Sequence, residues 1–250
     1  MKEFKFTLFQ CREEGDPMRQ QEVSCFLSAL QISESQLTAV NIPYDKLNAD
    51  LFCNTDVFLV GGAGDYSVLD SWPFLSGFFD FLNEICEKGV PMFASCFGFQ
   101  ALCLALGGRV VADPQNAEVG TFEMQLTEAG KADGVFGRLP EKFNAQMGHK
   151  DRAENLPAGV VHLVFSEKVF YQAFKLPERP IYATQFHPEL TVEQNRQRFN
   201  HYLHQYSQMK AGIEIEQIRN SFRETQEANS LLQWFVDEIV QKSDTLRGSD

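Results

Sequence analysis

The sequence predicts an α/β protein built on a parallel or mixed central sheet. Two features lead there. Over the first half, short runs rich in Val, Ile and Phe alternate with longer helical patterns, as βαβ units do. Over the second half, strand patterns follow one another with few helices between, which predicts antiparallel pairing.

The elements follow in order. Residues 5–9 form a first strand. Asp16-Pro17 places a capping residue before a first-turn proline, and Met18, Val23, Phe26, Leu27 and Leu30 recur at helical spacing, so a helix covers 17–31. Strands follow at 37–42 and 56–60, the second ending in Gly61-Gly62-Ala63-Gly64-Asp65. A glycine-rich loop directly after a buried strand is where α/β sheets bind ligands. The segment 72–88 is apolar on one face, and Gly89 stops it as a C-cap. A central strand at 90–94 then leads into a helix over 97–106, ended by Gly107-Gly108.

Further strands are expected at 109–112, 118–126, 143–147, 160–165, 169–174 and 181–186, within the antiparallel part of the sheet. Helical patterns at 191–206 and 213–240 close the chain. With no internal repeat and no low-complexity linker, the expected organisation is one domain over 1–206 and a helical extension over 207–250, the last eight residues frayed.

Composition narrows the function classes. The 250 residues are 44% hydrophobic and 22% charged, with 34 acidic against 22 basic side chains and a formal net charge of −12. There is no basic cluster of the kind that neutralises phosphates, so nucleic acid is not an expected partner. The amino terminus has too short an apolar run for a signal segment, and no 18-residue apolar span follows, so a cytoplasmic protein without a membrane partner is expected. The six cysteines form no CxxC pair and have no histidines at ligand spacing, so neither a metal site nor a disulfide framework is expected.

One cysteine stands apart. In Val90 to Gly108 a strand pattern runs into Ser95-Cys96-Phe97-Gly98 and then a helix, the arrangement of a nucleophile elbow in which a sharp turn exposes a side chain at the carboxyl edge of the sheet. The known serine version is GxSxG; here Ala94 takes the place of the first glycine. A thiol at a helix amino terminus is favoured as thiolate, and the N–H of Phe97 would face an oxyanion there. A cysteine nucleophile needs a base, and His187 is the candidate: it follows an alternating strand, and Pro188 fixes the backbone that brings Glu189 back to one imidazole nitrogen. The N–H of Gly62 could complete an oxyanion hole with Phe97. Each alone has a plainer reading, as a buried cysteine, a structural histidine or a tight turn; it is the convergence of three strand ends that points to a site.

On these residues the chain resembles a class I (triad-type) glutamine amidotransferase domain of the free-standing, GMP-synthase-glutaminase-like kind. The family's elbow is matched by Cys96-Phe97-Gly98-Phe99-Gln100 with Leu106-Gly107-Gly108, and its HPE by His187-Pro188-Glu189 after Ala183-Thr184-Gln185-Phe186. Gly61-Gly62-Ala63-Gly64-Asp65 resembles the GGPG-type loop, with Ala63 where proline is usual. Met147-Gly148-His149-Lys150-Asp151 is similar to the SHGD loop, with Gly148 for serine and Lys150 for glycine. The resemblance implies a three-layer αβα sandwich of flavodoxin-like type with a mixed, mostly parallel sheet and added C-terminal helices. It implies a Cys96, His187, Glu189 triad that attacks the γ-carboxamide of glutamine and passes through a γ-glutamyl thioester. Gln100, Gly148 and His149 would frame the substrate, with no metal or organic cofactor.

The chain has no SGGxDS loop and no GxxxxGK[ST] loop, so no ammonia acceptor is visible in it. Three readings stay open: a glutaminase feeding a separate synthase, a γ-glutamyl hydrolase acting on small peptides or conjugates, and a non-catalytic scaffold, against which the intact triad argues. Ile213, Ile215, Ile218, Phe222, Leu231, Leu232, Phe235 and Ile239 fall largely on one helical side. They suit packing on the chain's own domain, with a homodimer or a docked synthase as the alternatives.

Overall fold

The computed structural model describes residues 3–204 and 215–240. Its strands are β1 (Phe6–Cys11), β2 (Leu37–Asn41), β3 (Val57–Ala63), β4 (Met92–Ser95), β5 (Arg109–Ala112), β6 (Glu118–Leu126), β7 (Lys142–His149), β8 (Asp151–Asn155), β9 (Val161–Ser166), β10 (Ala173–Lys175) and β11 (Ile181–Thr184). The helices are α1 (Met18–Leu30), α2 (Asp50–Cys53), α3 (Pro73–Lys88), α4 (Phe97–Ala105), α5 (Glu128–Ala132), α6 (Val192–His201), α7 (Ile215–Ser221), α8 (Gln226–Asn229) and α9 (Leu231–Phe235), the last running into a π turn at Val236–Val240.

Nine strands make one sheet in the order β2-β1-β3-β4-β11-β10-β9-β6-β7. The run from β2 to β11 is parallel, and the run from β11 to β7 is antiparallel. The period of two along each central strand sends alternate side chains to opposite faces. Leu8, Leu59, Phe93 and Tyr182 lie with Phe26 of α1 and with Leu231 and Phe235 of α9; Phe9, Phe58, Ala94 and Ala183 lie with Phe78 of α3 and Leu102 of α4. Helices therefore cover both faces, and the sandwich has three layers.

Local signals behave as the sequence predicts at several points. Asp16 Oδ1 accepts from the Met18 N–H at 2.8 Å at the head of α1. Gly89 closes α3 at φ 63°, the left-handed conformation that glycine adopts freely.

Other expectations are corrected. β5 is not part of the main sheet but pairs with β8 as a separate two-stranded ribbon. β8 itself, α2 and α5 were unforeseen. The glycines do not end β3, which continues through Gly61 and Gly62 to Ala63 alongside a shift of register between Phe9 and Cys11. The strand expected at 169–174 is the short β10, because Val169 folds back on Ser166 through its carbonyl at 2.9 Å.

The C-terminal apolar stripe is buried in two places. Ile218 and Phe222 pack with Val119 and Phe199, whereas Leu231, Leu232, Phe235 and Val240 join the main core. Phe235 meets both Phe93 of β4 and Tyr182 of β11 edge to face, at 5.5 and 5.7 Å. The expected boundary between 206 and 207, Ile213 and the terminal eight residues lie outside the described residues.

Candidate active site

Cys96 is the single residue between β4 and α4, and its backbone sits at φ 52°, ψ −100°, a region that residues with a Cβ rarely enter. Two neighbours hold it there. The Cys96 N–H donates to Thr184 O at 2.8 Å, continuing the parallel register that pairs Ser95 with Thr184. Gly98 lets the helix press against β3: a Cβ at that position would come within 2.7 Å of Val60 Cβ and 2.9 Å of its carbonyl oxygen. Phe97 is the first residue of α4, so its N–H has no acceptor within the helix, and the positive end of the helix lies at the thiol.

The neighbouring strand end supplies the histidine. After β11 the chain turns so that the His187 N–H donates to Gln146 O at 2.9 Å, and the ring lies near enough to Cys96 for the two side chains to interact electrostatically. His187 Nδ1 donates to Glu189 Oε1 at 2.7 Å, which leaves Nε2 as the nitrogen toward the thiol. Both side chains are buried. Burial works against a charged imidazole, but the Glu189 and Cys96 charges outweigh it and raise His187 to about 9. Burial likewise opposes ionisation of Glu189, and His187 followed by Arg198 overrides it, holding the carboxyl down to about 2. The arrangement can move a proton between sulfur and imidazole while the carboxylate fixes the ring.

A pocket opens beside Cys96, with Gly64, Tyr66, Gln100, Gly148 and Lys150 in its wall. Gln100, Gly148, His149 and Phe97 all border it. Gly62 does not. Its N–H donates to Oε1 of the buried Glu22 at 3.1 Å, so the donor expected to serve an oxyanion is engaged. His149 is also committed internally: Nδ1 meets Asp151 O and Nε2 meets Glu118 Oε2, each at 3.0 Å. Glu118 is itself buried and accepts from Ser166 and Gln172. Gln100 Nε2 donates to Asp151 O at 2.7 Å and to Gln185 Oε1 at 3.1 Å, and Gln185 Nε2 in turn donates to Cys96 Sγ at 3.7 Å.

Gln185, Glu22, Arg198 and Glu118 were not singled out as site residues from sequence. Gln185 carried a signal, since it precedes His187 at the end of a strand whose partner carries Cys96. The buried charges carried none, because Glu22 and Arg198 read as ordinary polar positions of helices. Among the described residues no cluster of three or more His, Cys, Asp or Glu could hold a metal ion, and no helix is long and apolar enough to cross a membrane.

The model of the family described as glutamine amidotransferase class-I matches residues 24–229. A GMP synthase [glutamine-hydrolyzing] from Thermosipho melanesiensis is 35% identical over 166 residues, covering 66% of this chain and 30% of that protein. The same enzyme from Streptococcus pneumoniae is 36% identical over 116 residues, covering 46% and 22%. The chain thus spans less than a third of the length of these relatives. In fold, a glutamine amidotransferase from Thermotoga maritima superposes with a TM-score of 0.77 at 19% identity, covering 96% of this chain and all of that one. A glutamine amidotransferase from Methylobacillus flagellatus gives 0.76 at 17% identity, covering 96% and 95%.

Proposed function

The chain belongs to the class-I glutamine amidotransferase family, and from that premise we propose that it hydrolyses glutamine, with Cys96 as nucleophile, His187 as acid and base, and Glu189 as the group that orients the ring. The observation that supports this most is the Cys96, His187 and Glu189 constellation at two adjacent strand ends, with Cys96 itself in the wall of a pocket.

Cys96 Sγ attacks Cδ of the carboxamide, forming the S–C bond as the carbonyl π pair moves to oxygen. The Phe97 N–H meets that oxyanion. The His187 imidazolium gives its Nε2 proton to the departing nitrogen, the C–N bond breaks, and ammonia leaves a γ-glutamyl thioester. Water then loses a proton to His187, adds to the thioester carbonyl and expels the Cys96 thiolate, so that glutamine and water become glutamate and ammonia. Gln100 and Gly148 frame the substrate from the pocket wall, and His149 acts by holding the 148–151 loop rather than through a free ring nitrogen.

The GMP synthases among the relatives support a destination for the ammonia: a separate synthase that accepts it. The test is glutamate release from glutamine and from γ-glutamyl peptides, with and without such a partner, alongside Cys96→Ala. Release from glutamine that Cys96→Ala abolishes is the expected result. Release from the peptides alone would move the assignment to a γ-glutamyl hydrolase, and an active Cys96→Ala would overturn the mechanism.

A further inference from the structure

Glu189 does not face His187 alone. The oxygen that accepts from His187 Nδ1 also accepts from Arg198 Nη1 at 3.4 Å. Arg198 is buried, its Nε donates to Gln21 Oε1 at 2.8 Å, and its Nη2 lies 3.5 Å from Glu22 Oε1. Glu22 is in turn gripped by Arg12, Nε to Oε2 at 3.0 Å and Nη2 to Oε1 at 2.9 Å. Two buried carboxylates, from a helix on one side and a strand-end loop on the other, therefore share one guanidinium.

That arrangement has an electrostatic consequence. Buried like charges disfavour each other's ionised form, and a cation between them removes the penalty. Arg12 is occupied by Glu22 and reaches on to Tyr202 and Asp16, so it cannot serve Glu189. The charged and titratable groups around Arg198 and Glu189 are His187 and Cys96 from the strand ends, Glu22 and Cys25 from α1, Arg12 after β1, and, beyond them, Tyr202, Asp16 and His201. Among the described residues the Arg198 guanidinium is the one that contacts both carboxylates. Its planar fork spans them with two separate nitrogens, which a lysine ammonium would do less well.

We propose that Arg198 is a positioning residue: it keeps Glu189 ionised against Glu22 and keeps Oε1 turned toward His187, and so acts on Cys96 through the ring. The inference rests on the proposed reaction for its biological meaning, but its geometry can be tested without turnover.

The experiment is the rate of Cys96 alkylation by iodoacetamide as a function of pH, resolved from the other five cysteines by peptide mass spectrometry, together with kcat and KM for glutamine. Arg198→Met is expected to move the acid limb of alkylation up by about one pH unit or more and to lower kcat by roughly 10- to 100-fold, with KM little changed. Arg198→Lys is expected to bring back the limb and part of kcat. Should Arg198→Met fail to fold, Arg198→Gln, which keeps a polar group without charge, is read the same way. A folded, uncharged variant whose alkylation profile and kcat match the wild type would overturn the inference. A wild type that releases no glutamate, with the alkylation shift intact, would instead remove the proposed reaction and leave the positioning role standing.

Discussion

Gln185 Nε2 points at Cys96 Sγ across 3.7 Å, while its own Oε1 accepts from Gln100 Nε2 at 3.1 Å. The second bond fixes which end of the amide faces the sulfur, so Gln185 presents a donor to any charge that develops there. Gln185→Leu removes it without greatly changing volume. We expect kcat for glutamate release to fall roughly 10- to 100-fold, in keeping with about 1.5–3 kcal/mol for a hydrogen bond to a charged group. Gln185→Glu should fall further, since it sets an acceptor against the thiolate. Steady-state kinetics on both variants checks this.

The strained backbone at Cys96 predicts a stability gain where activity is lost. An unfavourable φ,ψ costs on the order of 1–3 kcal/mol, and only glycine escapes it. Cys96→Gly should therefore be more stable than Cys96→Ala, the reverse of the order at an ordinary site. Both should be inactive. Urea denaturation of the two variants measures the difference.

The His187 and Glu189 pair sets a pH window for stability. Glu189 falls from 4.5 to about 2 on folding, so its contribution is present above 4.5 and is lost as pH drops toward 2. His187 rises from 6.5 to about 9, so its contribution is complete below 6.5 and is lost as pH climbs toward 9. The pair thus supports the fold fully between 4.5 and 6.5. Glu189→Gln should flatten both arms of the profile, as read from denaturant midpoints across the pH range.

Gly98→Ala tests the close approach of α4 to β3. The added methyl would meet Val60 side chain and backbone inside van der Waals contact, and neither is a flexible side-chain end. A loss of about 1–3 kcal/mol is expected, with reduced activity because the helix that presents the Phe97 N–H must shift. Thermal unfolding and glutamate release read the two effects.

Phe235→Ala should cost about 3–5 kcal/mol, because the ring is fully buried between Phe93 and Tyr182. A solution stability close to wild type would mean that α9 does not pack on the sheet. Circular dichroism melts decide between them.

Much of this architecture could be read from the chain, for identifiable reasons. Cys96 and His187 sit at strand ends bounded by Gly98 and Pro188, and such junctions are written locally. What could not be read involves partners distant in sequence. Glu22 lies 40 residues from the Gly62 N–H it occupies, and a carboxylate on a helix of mixed pattern gives no hint that it is buried. The ribbon of β5 and β8 fails for a related reason: alternation marks a strand but does not name the strand it joins. Gly61 and Gly62 misled because glycine signals a break, yet it also tolerates the extended, bulged pairing found at the end of β3.

The ring of Phe235 on β4 and β11 also fixes an order in time. During synthesis Cys96 and His187 leave the ribosome well before residues 231–240, so a nascent chain that already carries every residue of the pocket still lacks the Phe235 ring on one face of those two strands. The pocket is completed from behind, by the part of the described chain that is made last.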